Sequence, residues 1–298
     1  MRNSSGFTLA LAGFALLTCG DAVIKSMAGL WPAPAIAALR FVIAVPLLAT
    51  FVIVTQGKAA LSVRRPWVQF ARGFSLAASA CLFFSSMFLM PLAEATAIVF
   101  VSPVITALLS AALLREPMRR AAWLATAIAL AGVAIVLRPN LAELGIIALM
   151  PLIAAVFMAA MLIFNRMAAG TGSPMALQFA IAMVAAPVMI IVAGIGDMSG
   201  FEPWQIGWPE SSVILRCAIV AVSASTAHWL IYLGTTRSTA ADAAQAAYVQ
   251  LPVALLIDAL VFRHWPDAMA LGGSALIVSA GLIMWQLQRN AVIAGTQR

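Results

Sequence analysis

The sequence predicts an all-α integral membrane protein: ten transmembrane helices, arranged as two inverted five-helix repeats around a central cavity. Composition is the first observation that predicts this fold. Over 298 residues the mean hydropathy is +1.04, with 64% of residues hydrophobic and 9% charged. So little charge excludes a soluble domain and is typical of a polytopic membrane protein. The second observation is an internal repeat at an offset of 149 residues, half the chain length of 298.

Uncharged runs of bilayer length follow one another along the chain, separated by short polar or charged segments. A helix needs about 20 apolar residues to cross the hydrocarbon of a membrane. The runs lack the alternating pattern of a β-barrel, so helices are expected. The ten predicted spans lie near residues 5–27, 34–55, 67–90, 92–114, 121–138, 144–166, 174–195, 212–236, 240–262 and 268–288.

The internal repeat is marked by prolines and glycines that keep one offset. Alanine matches count for little in an alanine-rich chain, whereas prolines and glycines are harder to match by chance. Several in a single register indicate an internal duplication. The matched pairs are Pro103 and Pro252, Pro117 and Pro266, and Ala131-Gly132 and Ala280-Gly281.

The duplication divides the chain into a first repeat, residues 1–139, and a second repeat, residues 140–298. Each repeat carries five predicted spans. Because five is odd, the second repeat inserts upside down relative to the first. Inverted repeats of this kind are frequent in secondary transporters, whose substrate site lies near the membrane midplane between the halves.

The basic residues predict the orientation. With the amino terminus in the cytoplasm, twelve of the 17 Lys and Arg residues fall at cytoplasmic ends or loops. This bias predicts that both termini are cytoplasmic. The expected location is the bacterial inner membrane, with several spans. The net charge of +7 then reflects membrane topology, and no nucleic-acid partner is expected. The five basic residues at outer ends are Lys25, Arg40, Arg138, Arg216 and Arg263.

Catalytic and metal motifs are missing from the sequence. It contains no G-x-S-x-G, no H-E-x-x-H and no P-loop, which argues against an enzyme and against transport powered by ATP on this chain. Its three cysteines all lie inside predicted spans, and they suggest neither a disulfide nor a metal site. No cofactor is expected. A channel remains an alternative, although no selectivity-filter sequence or ring of charge is present.

Short motifs recur along the chain in a fixed order. Together they resemble the drug/metabolite transporter superfamily, specifically its ten-helix exporters built from two EamA-type repeats. The second repeat departs from the pattern, because Trp265 stands where an acidic residue is expected before Pro266. The motifs are Gly20 and Lys25, Arg40-Phe41 after Pro32 and Pro34, Ala93-Glu94-Ala95-Thr96-Ala97, Ser102-Pro103, Arg115-Glu116-Pro117 and Ala131-Gly132-Val133.

Within the superfamily the chain most resembles the YddG-type amino-acid exporters. The resemblance implies a basket in which spans 1–4 and 6–9 surround a central cavity, with spans 5 and 10 at the periphery. It also implies alternating access and export from the cytoplasm. The expected substrates are amino acids, with aromatic and other apolar ones leading. A broader metabolite or cationic drug exporter is the alternative.

Span 8 supplies the first candidate substrate-binding residues. Ser225, His228 and Tyr232 are spaced i, i+3, i+7 and share one face. Trp229 lies beside them. Such side chains could hydrogen-bond a zwitterion and contact its apolar part. The alternative is a structural role, since Ser, Thr and His often bridge membrane helices.

The repeat extends this stripe to span 3, because the offset sends His228 and Tyr232 onto Ser79 and Phe83. Span 6 adds Met158 and Met161, whose flexible thioethers would suit varied apolar side chains. Core packing is the alternative for both methionines.

Span 9 carries Gln245, Tyr248 and Gln250 just before Pro252. Pro103 is the equivalent proline of span 4. A proline inside a helix frees a carbonyl, which in a membrane needs a polar partner or a cavity. We therefore expect both prolines at the ends of cavity-lining half-helices, with a packing kink as the alternative.

Charged residues form the last candidate set. Asp21 and Lys25 are four residues apart on span 1, and Arg40 starts span 2. Charges within spans cost about 2.5–3.5 kcal/mol each, so they are normally paired or functional. The set is read as an Asp21–Lys25 structural pair or as an outer gate.

Asp258 lies near the outer end of span 9 and is expected to pair with Arg216 or Arg263 in a structural role. Glu94, at a helix end, has an interfacial or capping role by default. The partners expected for the whole chain are therefore a lipid bilayer and a small-molecule substrate. The sequence leaves the oligomeric state open, a monomer included.

Overall fold

The computed structural model describes residues 2–62, 64–102, 104–106, 108–109, 120–168, 170–200, 202–237 and 246–296. Within these ranges all regular secondary structure is helical and no β-strand occurs. The all-α prediction is therefore confirmed.

The described residues carry ten numbered α-helices and four short 3-10 turns, and residues 102, 104–106 and 108–109 are also helical. The 3-10 turns are Lys58–Leu61, Gly145–Leu149, Glu202–Trp204 and Ala247–Val249. The α-helices are α1 Arg2–Lys25, α2 Ala33–Gln56, α3 Pro66–Leu89, α4 Leu92–Val99, α5 Arg120–Leu144, α6 Met150–Ala168, α7 Pro174–Met198, α8 Ser211–Arg237, α9 Gln250–Leu260 and α10 Ala268–Thr296.

Local sequence signals explain where several helices begin. Pro66 and Pro174 stand at the first position of α3 and α7, where a missing N–H costs no hydrogen bond. Ser173 caps α7, since its Oγ accepts a hydrogen bond from the Ala176 amide at 3.2 Å. Gly57 follows α2 with φ 83°, a backbone conformation that favours glycine.

Six helical stretches are long and apolar enough to cross a membrane, by length and composition. Shorter apolar helices fall within predicted spans 4, 5, 9 and 10. The chain is thus a multi-pass membrane protein, and the total of ten spans stays a prediction. The six long stretches are Gly6–Lys25, Ala33–Gln56, Pro66–Leu89, Leu141–Asn165, Pro174–Met198 and Ser211–Ile231.

Helices of the two predicted repeats pack against each other in a reciprocal pattern. Helix α1 of the first repeat packs on α8, and α3 packs on α6. Helices of equal rank also pair: α2 with α7, α4 with α9, and α5 with α10. Exchanging the two repeats leaves this list of pairs unchanged.

Glycine permits a close crossing of α5 and α10. A Cβ on Gly132 of α5 would lie 2.7 Å from the Gly273 carbonyl oxygen of α10, and one on Gly273 would lie 2.8 Å from the Gly132 carbonyl oxygen. Only residues without a side chain fit such an approach of two backbones. Helices α5 and α10 therefore pack tightly together.

The helices alternate in direction, so the connections gather at two ends of the bundle. We call one end the Lys25 end. There the Trp31 Nε1 donates to the Gly207 carbonyl oxygen at 2.9 Å, and Arg216 Nη1 donates to the Ser26 carbonyl oxygen at 2.9 Å. These bonds join the α1–α2 connection to the second predicted repeat.

We call the opposite end the Arg65 end. Arg65 Nη1 donates to the Met167 carbonyl oxygen at 3.2 Å, and the Ser173 hydroxyl donates to the Gln56 side chain. Both bonds again join the two predicted repeats. The orientation prediction assigns this end to the cytoplasm.

Helices α4 and α9 are short, and each adjoins further helical residues: 102 and 104–106 follow α4, and the 3-10 turn Ala247–Val249 precedes α9. At 1.5 Å per residue, their 8 and 11 residues cover about 12 and 16 Å, against about 30 Å for a bilayer core. Pro252 lies in the first turn of α9, directly after the 3-10 turn Ala247–Val249. Its missing N–H therefore costs α9 no hydrogen bond. Pro103 lies outside the described residues.

Candidate functional site

Two clusters of buried charge lie inside the bundle. The first joins α1 to α9 at the Lys25 end. The Lys25 Nζ lies 3.3 Å from Asp258 Oδ1 and donates to the Met90 carbonyl oxygen at 3.0 Å. It also lies 5.0 Å from the centre of the Phe262 ring. The side chain of Asp258 is 1% exposed, so this ion pair is shielded from solvent.

Asp258 also caps helix α4. Its Oδ1 accepts a hydrogen bond from the Leu92 amide at 3.2 Å, and its Oδ2 accepts one from the Ala93 amide at 2.6 Å. The first amides of a helix have no partner within that helix and carry its positive dipole end. One carboxylate therefore neutralises Lys25 and completes α4.

This arrangement corrects two sequence predictions. Asp258 pairs with Lys25, whereas Arg216 and Arg263 were the expected partners. Lys25 likewise forms its ion pair with α9, whereas its four-residue spacing from Asp21 on α1 had favoured a pair with Asp21. The physical reason is that α1 packs on α9 and α4 begins beside them, so one carboxylate can serve both groups.

The second cluster centres on Arg40, seven residues into α2. Arg40 therefore lies about 10 Å along the helix from its first residue, well inside span 2. From the sequence, Arg40 had been expected at the start of this span. Its Cζ lies 4.3 Å from the centre of the Phe41 ring and 5.1 Å from that of Phe84. Both rings are buried, and cation–π attraction holds the guanidinium between α2 and α3.

Three side chains from other helices share the field of Arg40. Asp21 of α1 interacts with it electrostatically, as do Cys217 and His228 of α8. Yet no ion pair within 4.0 Å joins Asp21 to Arg40. The two opposite charges are therefore held apart.

Two buried polar atoms of the described residues make no hydrogen bond: Arg40 Nε and Thr96 Oγ1 of α4. Hydroxyls elsewhere in these helices bond back to their own backbone, as Thr18 does to Phe14 and Thr106 to Ser102. Unsatisfied buried polar atoms are rare and commonly mark functional positions. Neither residue was predicted to bind substrate, although each belongs to a motif noted in the sequence.

The predicted polar stripe of α8 bonds largely to its own helix. His228 Nδ1 lies 2.6 Å from the Ala224 carbonyl oxygen, and the Ser225 hydroxyl donates to the Ala221 carbonyl oxygen at 2.7 Å. His228 remains half-buried in the field of Arg40. The side chain of Tyr232 lies outside what the structure describes.

Trp229 lies apart from this stripe. It shares a face of α8 with Leu215, Ile219 and Val222, all exposed. An exposed apolar face of this kind is typical of a helix surface in contact with lipid. The placement therefore favours a membrane contact for Trp229 over the predicted substrate contact.

The candidates on α3 and α6 lie at the interface between these helices or close to it. The Ser79 hydroxyl donates to the Ala154 carbonyl oxygen of α6 at 2.9 Å, so it bridges two helices. The Phe83 ring packs 6.1 Å from that of Phe84, beside Arg40. Met158 and Met161 of α6 are half-buried.

The candidates around α9 meet the end of α4. The Tyr248 ring lies 5.7 Å from the Phe100 ring, at the point where α4 ends and α9 begins. Gln250 is half-buried and Pro252 is exposed. Gln245 lies outside the described residues.

A third polar network, at the Arg65 end, was missed by the sequence analysis. Arg72 of α3 is 5% exposed; its Nε donates to Asn165 Oδ1 of α6 at 2.6 Å, and its Nη1 donates to Gln69 Oε1. Arg72 had been counted only as a basic residue of a cytoplasmic end. The spacing of Gln69 and Arg72, i and i+3 on one helix face, was the available signal.

Known proteins resemble this chain in sequence. Residues 4–138 match the EamA-like transporter family. The S-adenosylmethionine uptake transporter of Rickettsia prowazekii (strain Madrid E) is 25% identical over 260 residues, which cover 86% of this chain and 84% of that protein. The riboflavin transporter of Rhizobium johnstonii (strain DSM 114642 / LMG 32736 / 3841) is 26% identical over 234 residues, 76% of this chain and 73% of that protein.

A known crystal structure shares the fold. It superposes with a TM-score of 0.62 at 21% sequence identity and covers 94% of this chain and 97% of its own. The likeness therefore extends over both predicted repeats, beyond the residues that match the family.

Proposed function

We propose that this chain is a secondary transporter of the drug/metabolite transporter superfamily that carries a small organic metabolite through the interior of its helix bundle. The observation that carries this proposal is the Arg40 cluster. A bundle that only had to be stable in lipid would gain nothing from a half-buried arginine whose buried Nε has no hydrogen-bond partner among the described residues, since intramembrane charges are costly. Charges retained at such depth are typical of substrate pathways.

The substrate we propose is a metabolite that combines polar or charged groups with an aromatic ring. S-adenosylmethionine, named for relatives that match over most of the chain, is an amino acid joined to a purine nucleoside. Aromatic amino acids, the substrates that the sequence analysis favoured, share its amino-acid head. The matched relatives bear no amino-acid exporter name, and one is named for uptake, so import is the direction we test first.

Riboflavin is the second candidate. Its support is the named riboflavin relative, together with the Phe100 and Tyr248 rings, which are tilted by 43° to each other and offer aromatic contacts where α4 and α9 meet. Riboflavin lacks a carboxylate and an ammonium group, so it separates the two substrate classes experimentally.

We further propose that residues 1–139 and 140–298 are inverted repeats, with both termini in the cytoplasm. Three observations support the repeats: the reciprocal pairing of α1 with α8 and α3 with α6, the self-pairing of helices of equal rank, and the family match that ends at residue 138. Alternating access would then involve rearrangement between the halves. The proposed order of sides is tested by single-cysteine labelling at Ser62 and Gly207, which we expect to react from opposite faces.

Counterflow in proteoliposomes tests the transport proposal. Vesicles loaded with unlabelled S-adenosylmethionine, tryptophan or riboflavin are diluted into the labelled compound, and protein-free vesicles serve as the control. A carrier gives transient, saturable accumulation of the labelled compound inside the vesicles. The unlabelled stereoisomer of that compound, added to the medium, should suppress this accumulation only weakly. Flux that does not saturate would indicate a channel, and the absence of flux for all three compounds would contradict the proposal as stated.

A further inference from the structure

We infer that the outward face of α3 is a binding site for an anionic phospholipid. The phosphodiester lies at Arg64 and Arg65, and one acyl chain follows a row of aromatic side chains, Trp67, Phe70 and Phe74, which we call the α3 stripe. The site is separate from both buried charge clusters. The inference goes beyond the proposed transport function and does not depend on it.

The α3 stripe is an exposed aromatic face on a stretch long and apolar enough to cross a membrane. Its members are spaced i, i+3, i+7, which places them on one side of α3. The Phe70 and Phe74 rings stack 6.2 Å apart, and the Phe157 ring of α6 meets Phe74 edge-on at 6.3 Å. The exposed face of α8, by comparison, is largely aliphatic. The stripe thus offers an acyl chain a row of rings that pack against one another.

Helices α6 and α7 flank the stripe and leave it open between them. On one side, the Ser79 hydroxyl donates to the Ala154 carbonyl oxygen of α6 at 2.9 Å. On the other side, a Cβ on Gly73 would lie 2.4 Å from Val184 Cβ of α7. At 3.6 residues per turn, Gly73 and Ser79 lie on opposite flanks of Phe74. The stripe therefore points away from the bundle, towards the bilayer.

An apolar groove of about 170 Å³ between α3 and α7 continues the stripe. Phe74 lines its mouth, and its walls include Ala78 of α3 with Val188 and Val192 of α7. Phe74 follows Arg65 by nine residues, about 14 Å along the helix, which is about half the thickness of the hydrocarbon. The end of an acyl chain whose phosphate lies beside Arg65 therefore reaches the groove.

Basic residues stand where the stripe meets the Arg65 end. The α2–α3 connection, residues 57–65, contains Lys58, Arg64 and Arg65 and no acidic residue. All three are exposed, and none forms an ion pair with a described residue. Arg65 Nη1 donates to the Met167 carbonyl oxygen, so its guanidinium lies beside both α3 and α6. Three positive charges next to an apolar face match an anionic headgroup followed by acyl chains.

Charge and shape together select this occupant. A free phosphate uses the arginines and leaves the stripe and the groove empty. A zwitterionic lipid uses the stripe but brings its own cation to the arginines. A second copy of the chain, related by a two-fold axis along the membrane normal, brings the same positive charges face to face. An anionic phospholipid satisfies both the charge and the apolar face.

Native mass spectrometry of the detergent-purified protein tests the inference. The protein is titrated with phosphatidylglycerol, with phosphatidylcholine of the same acyl chains, and with inorganic phosphate. We expect phosphatidylglycerol to bind roughly ten- to thirtyfold more tightly than phosphatidylcholine, because each arginine near a membrane surface adds about fivefold. An excess of inorganic phosphate should leave the bound phosphatidylglycerol in place.

Variants assign this preference to residues. Arg64→Gln should weaken phosphatidylglycerol binding about fivefold and leave phosphatidylcholine binding unchanged, while the Arg65–Met167 bond is kept. Arg138→Gln makes the same chemical change on an exposed arginine of α5 and should alter neither affinity. Ala78→Trp fills the groove without a change in charge and should also weaken phosphatidylglycerol binding. Melting temperatures without added lipid check the fold of each variant.

Equal affinities for the two lipids in the unmodified protein would overturn the inference, whatever the variants show. Displacement of phosphatidylglycerol by inorganic phosphate would assign the arginines to free phosphate. A dimer whose formation excludes lipid would assign the stripe to a second copy. An effect of Arg138→Gln as large as that of Arg64→Gln would reduce the preference to net charge. Each of these results contradicts the lipid site and leaves the transport proposal untouched.

Discussion

The two charge clusters differ in how completely their partners satisfy them. In the Lys25–Asp258 pair the charged atoms are 3.3 Å apart, and the carboxylate accepts two further bonds from α4 amides. In the Asp21–Arg40 pair the charges are not in contact, and one guanidinium nitrogen has no acceptor among the described residues. Both pairs connect α1 to another helix within the same bundle.

The difference indicates a structural role for the Lys25–Asp258 pair and a functional role for the Asp21–Arg40 pair. A satisfied buried pair is weak as a source of stability but costly to break, because removal of one partner leaves the other charge alone in low dielectric. In an unsatisfied pair, part of that free-energy cost is already present when no ligand is bound. Stability measurements and binding measurements should therefore respond to the two clusters in opposite ways.

Asp258→Ala should have the largest effect. It leaves Lys25 without its carboxylate and removes the cap from the Leu92 and Ala93 amides. We expect a loss of about 3–5 kcal/mol in the free energy of unfolding, the cost of breaking a buried ion pair. The melting temperature of purified protein in detergent, with expression level, measures it.

Asp267→Ala is the matched control. Asp267 is exposed and caps α10 through the Ala270 amide at 2.6 Å without an ion pair in the described residues. A lost cap alone should cost about 1 kcal/mol. Equal melting temperatures for the Asp258 and Asp267 variants would refute the importance of the Lys25 pair.

The double variant Asp21→Asn, Arg40→Met should be neutral or more stable, by up to about 1–3 kcal/mol. It removes two half-buried charges that are not in contact and an unsatisfied donor, and charges taken out of water in this way are often replaced without loss. Melting temperature without substrate provides the measurement. A loss comparable to that of Asp258→Ala would show that the pair is structural.

Ser79→Ala should cost about 0.6–1.7 kcal/mol in stability, the range of single hydrogen bonds between membrane helices. The hydroxyl bonds to Ala154 of α6 and is 1% exposed, so substrate affinity should stay unchanged. Thermal melting and counterflow competition are read on the same preparation. Weakened binding at an unchanged melting temperature would restore Ser79 to the predicted cavity.

Trp229→Phe should have the smallest effect, within about 0.5 kcal/mol, as expected of a surface substitution. Trp229 lies on the exposed apolar face of α8. Stability and counterflow should both match the unmodified protein. A clear loss of transport would show that this face lines the substrate path.

The fold was predictable because hydropathy and proline register are properties of the chain itself. Charge pairing was predicted less well, since the sequence offers Asp21 as the nearest acid to Lys25, whereas the true partner follows 233 residues later. No local pattern encodes a contact between α1 and α9.

A substrate contact at Arg40 was not predicted, for a related reason. From the sequence, Arg40 was a candidate only for a structural pair or an outer gate. Its significance depends on Phe84 and Asp21, which reach it from α3 and α1. The polar face of α8 was conspicuous by comparison, yet its Ser225 hydroxyl bonds within its own helix.

The position of Asp258 in the chain also determines how late in synthesis Lys25 and helix α4 gain their shared carboxylate. Lys25 and the first amides of α4 leave the ribosome long before their shared carboxylate, which lies 233 residues beyond Lys25. At about 5–20 residues per second, the interval is on the order of ten to fifty seconds. Throughout it the nascent first half holds an unpaired ammonium group and an uncapped helix. Completion of that half thus depends on the last quarter of the chain, and a fragment that ends before α9 should be a substrate for quality-control proteases.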